Sequence, residues 1–141
     1  MRAAKYVGAW LICALALALV GCANTLDAAQ QTRGALSRAL DESTQAWVTY
    51  NRAKEIQIAQ DALTREAARS ALTAYRQGEQ AKVIKAINGC WAALFGLDRA
   101  IALYSAGTKG GLQAALGVAY GSLSDIAQTL TALGIPIPKV N

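Results

Sequence analysis

The chain has no histidine and, across 141 residues, only two prolines, one methionine and one phenylalanine. Without histidine neither a Ser-His-Asp or Cys-His nucleophile system nor a Cys/His zinc centre can be assembled. Both prolines, Pro136 and Pro138, lie at the C-terminal end, so nothing before them is interrupted by proline. Aromatic residues make up 6% and charged residues 16%. The basic residues are spread singly among acids, with no basic cluster interleaved with aromatics, so nucleic acid is not an expected partner. An alanine-rich, proline-poor composition of this kind belongs to helices, and the expected fold class is all-α.

What is present begins at the N-terminus. Arg2 and Lys5 precede an uncharged stretch over 6–20, and the stretch stops at Leu19-Val20-Gly21-Cys22. A basic start, a short apolar run and small residues before a cut make a secretory signal. The tetrapeptide, an aliphatic residue, a second aliphatic, Gly and then Cys, resembles the lipobox of bacterial lipoproteins. The resemblance covers about the first 22 residues. It implies cleavage after Gly21, a diacylglyceryl group on Cys22, commonly a third amide-linked chain, and, with Ala23 rather than Asp following, sorting to the outer membrane. Loss of Arg2 and Lys5 leaves 12 basic against 9 acidic residues, a mild positive charge. Cys13 departs with the leader and Cys22 carries lipid, which leaves Cys90 alone, either as a small buried hydrophobe or as an intermolecular disulfide partner.

The mature chain reads as three helices. Asn24 as N-cap with Asp27 at N3 opens the first, which meets no proline and no glycine but Gly34 before Gln77. It is expected to run unbroken for about 50 residues, some 75 Å, with Gly78 as its stop. Glu79 opens a second helix with the stripe Val83, Ile87, Cys90, Leu94, Leu97, Ile101 and Tyr104, widened by Ile84, Trp91 and Phe95. A glycine-rich turn over 105–111 leads to a third, striped by Leu112, Leu116, Ala119, Leu123, Ile126 and Leu130, which Gly134 stops. The two shorter helices can cover only half of the first. The expected architecture is therefore a long N-terminal helix packed with an antiparallel helical hairpin: a leader over 1–21, a lipidated stalk over 22–49, a three-helix bundle over 50–134 and an extended tail over 135–141, with Trp47 and Tyr50 at the junction. Gly89 and Gly96, costly in a helix interior, are expected at close helix contacts.

Chemistry-bearing groupings are few. Asp41-Glu42 are adjacent on an open helix and do not converge. Gly107-Thr108-Lys109-Gly110-Gly111 lacks the ordered Gly-Lys-Ser/Thr ending of a phosphate loop and reads as a turn. Asp98-Arg99 is either a solvent edge or an anchor for a partner, and Asp125 is expected at the surface. Small residues Ala114, Gly117 and Gly121 form a row suited either to a helix-helix interface in an oligomer or to intramolecular packing on the alanines of helix one. No catalytic, cofactor or metal residue is assigned. The expected function is a non-enzymatic lipoprotein of the outer membrane, its periplasmic helical domain binding another envelope protein or itself. Phage-encoded exclusion lipoproteins are one specific version. The alternative is a holin- or channel-like protein with an uncleaved N-terminal helix and helices two and three inserted. Lys85, Asp98, Arg99 and Asp125 oppose it at about 2.5–3.5 kcal/mol each near a helix centre.

Overall fold

The computed structural model describes residues 25–136. The expected leader, the lipobox-like tetrapeptide with Cys22, and the tail from 137 lie outside the described residues. The described chain is helical without strands: α1 Thr25–Asp61, α2 Arg65–Tyr75, α3 Ala81–Ser105 and α4 Leu112–Ala132. A π-helical turn, Arg76–Gln80, joins α2 to α3 with helical backbone throughout, so the two form one long rod antiparallel to α1. The expected all-α architecture, a long N-terminal helix packed with helices that return along it, is present.

The break falls elsewhere than expected. α1 ends at Asp61 after 37 residues, about 55 Å, and the chain reverses over residues 62–64. Thr64, in extended conformation, caps α2: its hydroxyl oxygen accepts from the Ala67 N–H at 3.1 Å and its carbonyl from Ala68 N–H at 3.0 Å. Gly78, expected to stop the helix, lies inside the π-helical turn instead. A lone glycine weakens a helix without ending it, whereas a threonine whose side chain satisfies an orphan N–H starts one.

Because the returning rod begins at Arg65, it reaches down the length of α1, and the bundle forms at the N-terminal end of that helix. Ala29, Leu36, Leu40, Ser43 and Trp47 of α1 are buried together with α3 and α4. Residues 25–49, expected to project as a stalk, are thus part of the core. The projecting part is the far end, where residues 51–61 and α2 pair without a third helix; only Tyr75 is buried on α2. The N-terminal half of α1 carries Leu36, Leu40 and Trp47, and burial followed these larger side chains.

Leu40, Leu94, Leu97, Ile126 and Leu130 are wholly enclosed and form the centre, with burial of each such side chain contributing about 1.5–3 kcal/mol. Ser43, buried among them, donates its hydroxyl to the Ala39 carbonyl at 2.7 Å. Two positive-φ glycines, Gly107 and Gly111, shape the α3–α4 turn, and a third, Gly134, ends α4 as expected. After Gly134 the Ile135 N–H donates to Leu130 O and its side chain returns to the core. Among the described residues no helix is long and apolar enough to cross a membrane.

Candidate functional site

Most groups singled out from sequence are accounted for by the fold. Asp41, Glu42 and Asp125 are exposed. The 107–111 segment is a turn, with Gly107 N–H donating to Tyr104 O and Thr108 N–H to Leu103 O. Among the described residues no cluster of acids and cysteine could hold a metal ion. Cys90 is fully buried and its thiol is pushed up to about 11 by that burial. A sulfur so enclosed cannot meet one from another molecule, which corrects the intermolecular-disulfide alternative.

Ala114, Gly117 and Gly121 face outward on α4, and a methyl group added at either glycine would meet nothing within 4 Å. Packing against the alanines of helix one is therefore not their role. The same holds for Gly89 and Gly96, which are exposed with open space around them and not at close helix contacts. Ile84 and Phe95, expected to widen the core face of the second helix, are 44% and 67% exposed.

These two side chains belong to a surface that emerges only from the pairing of α1 with the returning rod. Two ion pairs bridge the seam. Arg33 Nε and Nη2 donate to Asp98 Oδ1 and Oδ2 at 2.7 and 2.8 Å, and Arg76 Nε donates to Glu55 Oε1 at 2.9 Å. Beside the second pair the Tyr75 hydroxyl donates to Asn51 Oδ1 at 2.9 Å, and burial pushes that phenol up to about 12. Both pairs are partly exposed, so α4 does not cover this side of the seam. Thr32, one residue and about 100° away from Arg33, turns instead toward Tyr120 of α4.

Between the bridging residues Arg33 and Glu55, helical steps of three and four pass through Ser37, Asp41, Thr44, Val48 and Arg52, with Ile56 next. On α3 the same steps lead from Ile84 through Asn88, Trp91 and Phe95 to Asp98. Val48 is 57% and Ile56 50% exposed; Trp91 is half-buried, its ring 6.4 Å from that of Phe95. In both bridges the partners' numbers complete 131, which sets Val48 level with Val83 and Ile84, and Phe95 level with Leu36. Three of the seven large exposed hydrophobics among the described residues, Val48 on α1 and Ile84 and Phe95 on α3, therefore flank the α1–α3 seam. Sequence periodicity alone assigned Ile84 and Phe95 to the core face of α3, because that helix carries more apolar residues than its neighbours can cover.

A second feature is a groove of about 470 Å³ where the end of α4 meets α1, lined by Glu42, Gln45, Ala46, Thr49, Tyr50 and residues 134–136. It brings together one carboxylate, Glu42, with the hydroxyls of Thr49 and Tyr50. Compared with protein-family models, curated proteins and solved structures, the chain matches none.

Proposed function

We propose that this chain is a non-enzymatic lipoprotein of the bacterial cell envelope, held on the outer membrane through acylated Cys22, whose periplasmic helical domain is an interaction module. The observation that carries the reading is Leu19-Val20-Gly21-Cys22 at the end of a basic-then-apolar leader. Each buried acyl CH₂ contributes about 0.8 kcal/mol, so two or three chains on one cysteine hold the domain at the bilayer for good. The exposed side chains of Val48, Ile84 and Phe95 along the α1–α3 seam support an interaction role, because exposed large apolar side chains grouped on a small domain are what partners cover.

The test is metabolic labelling with palmitate in cells carrying the wild type or Cys22→Ala, with globomycin as the control for signal cleavage. Label on the wild type, its loss in Cys22→Ala and accumulation of precursor under globomycin are the expected results. An unlabelled wild type overturns the anchor.

A further inference from the structure

We propose that the far end of the two-helix arm, built from Leu63, Arg65, Arg69 and Arg76, docks on an anionic lipid surface. The contact is made by the domain's own side chains and needs no acyl group, so it stands apart from the anchor at Cys22.

Arg65, Arg69 and Arg76 follow one another at steps of four and seven on the returning rod, which at about 100° per residue sets them on one face roughly 40° wide. All three are exposed. With Ala68, Leu72 and Thr73 they line a shallow cleft of about 290 Å³ that has no acidic side chain in its walls. Arg76 donates Nε to Glu55 at 2.9 Å, but among the described residues no ion pair holds Arg65 or Arg69. Asp61 stands four places before Arg65, yet α1 ends at the one and α2 begins at the other, so they are not neighbours on a single helix. Glu66 is turned about 100° from Arg65 around α2. Arginines four apart repel each other, and the positive end of the helix dipole opposes cations in the first turns of α2. A row of anions laid along this face offsets both costs.

The source of those anions is indicated by the apex of the arm. Leu63 is 99% exposed, more than any other large hydrophobic among the described residues. A soluble polyanion satisfies the arginines and leaves this leucine in water. A bilayer offers phosphates to the arginines and, about 5–10 Å deeper, an acyl layer to the leucine. The arm is also shaped to lie on a plane: Tyr75 is the one buried residue of α2, and the arginine row extends about 16 Å along it. The apex and Thr25 are at opposite ends of α1, about 55 Å apart, so this contact is distinct from any made near the N-terminus.

The experiment replaces Leu63 by the photoreactive residue benzoylphenylalanine in the full chain, reconstituted in vesicles of phosphatidylcholine alone or of phosphatidylcholine and phosphatidylglycerol in equal parts. Crosslinks are identified by mass spectrometry, and circular dichroism checks folding of each variant. The expected product is an adduct on a lipid acyl chain, at least about ten-fold more abundant in the anionic vesicles, since each arginine near such a surface favours binding about five-fold. High salt should lower it. Arg65→Glu combined with Arg69→Glu should bring the yield down to that of neutral vesicles, and Arg65→Gln with Arg69→Gln should lower it as well should the reversed pair disturb folding. Lys109→Glu, a charge reversal in the α3–α4 turn at the other end of the molecule, should leave the yield unchanged. Equal yields in both vesicles, a yield indifferent to the arginine variants, a loss through Lys109→Glu, or crosslinks to protein alone overturn the proposal. Palmitate is a separate readout. A labelled chain without the adduct removes this contact alone, and an unlabelled chain with it removes the anchor alone.

Discussion

Arg33 and Asp98, 65 positions apart in sequence, meet as a two-pronged pair in which Nε and Nη2 of the guanidinium each donate to one carboxylate oxygen. The carboxylate raises the already high pKa of Arg33, against a smaller opposing effect of burial. Both side chains keep more than a third of their surface in water, so the pair is screened and belongs with surface bridges of good geometry. A double-mutant cycle with Arg33→Ala and Asp98→Ala, read by chemical denaturation, should give a coupling energy of about 0.5–1 kcal/mol that shrinks in high salt. Arg33→Lys should recover only part of it, since a point ammonium cannot make both bonds.

The sequence made the helical class, the α3–α4 turn and the stop at Gly134 legible, because each rests on local chemistry: alanine content, paired glycines, and a glycine that takes φ of 74°. The reversal at residues 62–64 was not legible by the same means. It contains neither glycine nor proline, and its signal is a single capping threonine among many polar residues. Moving that one boundary from Gly78 to Thr64 transfers the bundle from one end of α1 to the other, and so explains why the junction and the stalk were displaced together. The exposure of Phe95 depends on which neighbours arrive and is a property of packing, beyond the reach of periodicity. Cys22, read from sequence, lies outside the described residues.

Thr64 should therefore matter more than its exposure implies. Thr64→Ala removes the acceptor for the Ala67 N–H and should cost about 1 kcal/mol, lodged in the two-helix arm. Hydrogen exchange should show α2 amides quickening while those of α3 and α4 hold. Leu63, 99% exposed beside it, should tolerate Leu63→Ser with no loss.

Cys90 gives a prediction in pH. In the unfolded chain a cysteine ionises near 8.5, but in the fold burial holds the thiol to about 11. The native state keeps its proton where the unfolded state has lost it, so stability is fully present below about pH 8.5 and declines as pH rises toward 11. Tyr75, held up to about 12 chiefly by burial, extends the decline to higher pH. Thermal midpoints measured from pH 7 to 11 should fall, and Cys90→Ala, although less stable at neutral pH, should show a shallower fall. Native thiol labelling at pH 8 should run at the unfolding rate.

The glycines separate into two groups with opposite signs. Gly96 and Gly121 lie in helix interiors with exposed surfaces and nothing within 4 Å of an added methyl, so Gly96→Ala and Gly121→Ala gain helix propensity without a clash. Each should stabilise by about 0.5–1 kcal/mol. Gly107 and Gly111 hold φ of 97° and 88° in the α3–α4 turn, where a side chain is strained whatever the space around it. Gly107→Ala and Gly111→Ala should each cost about 1 kcal/mol or more. Denaturation midpoints of the four single variants, taken under one buffer condition, decide the point. Had Gly96 and Gly121 been at tight helix contacts, their alanine variants would lose stability, and a gain in both is expected only of the open surfaces found here.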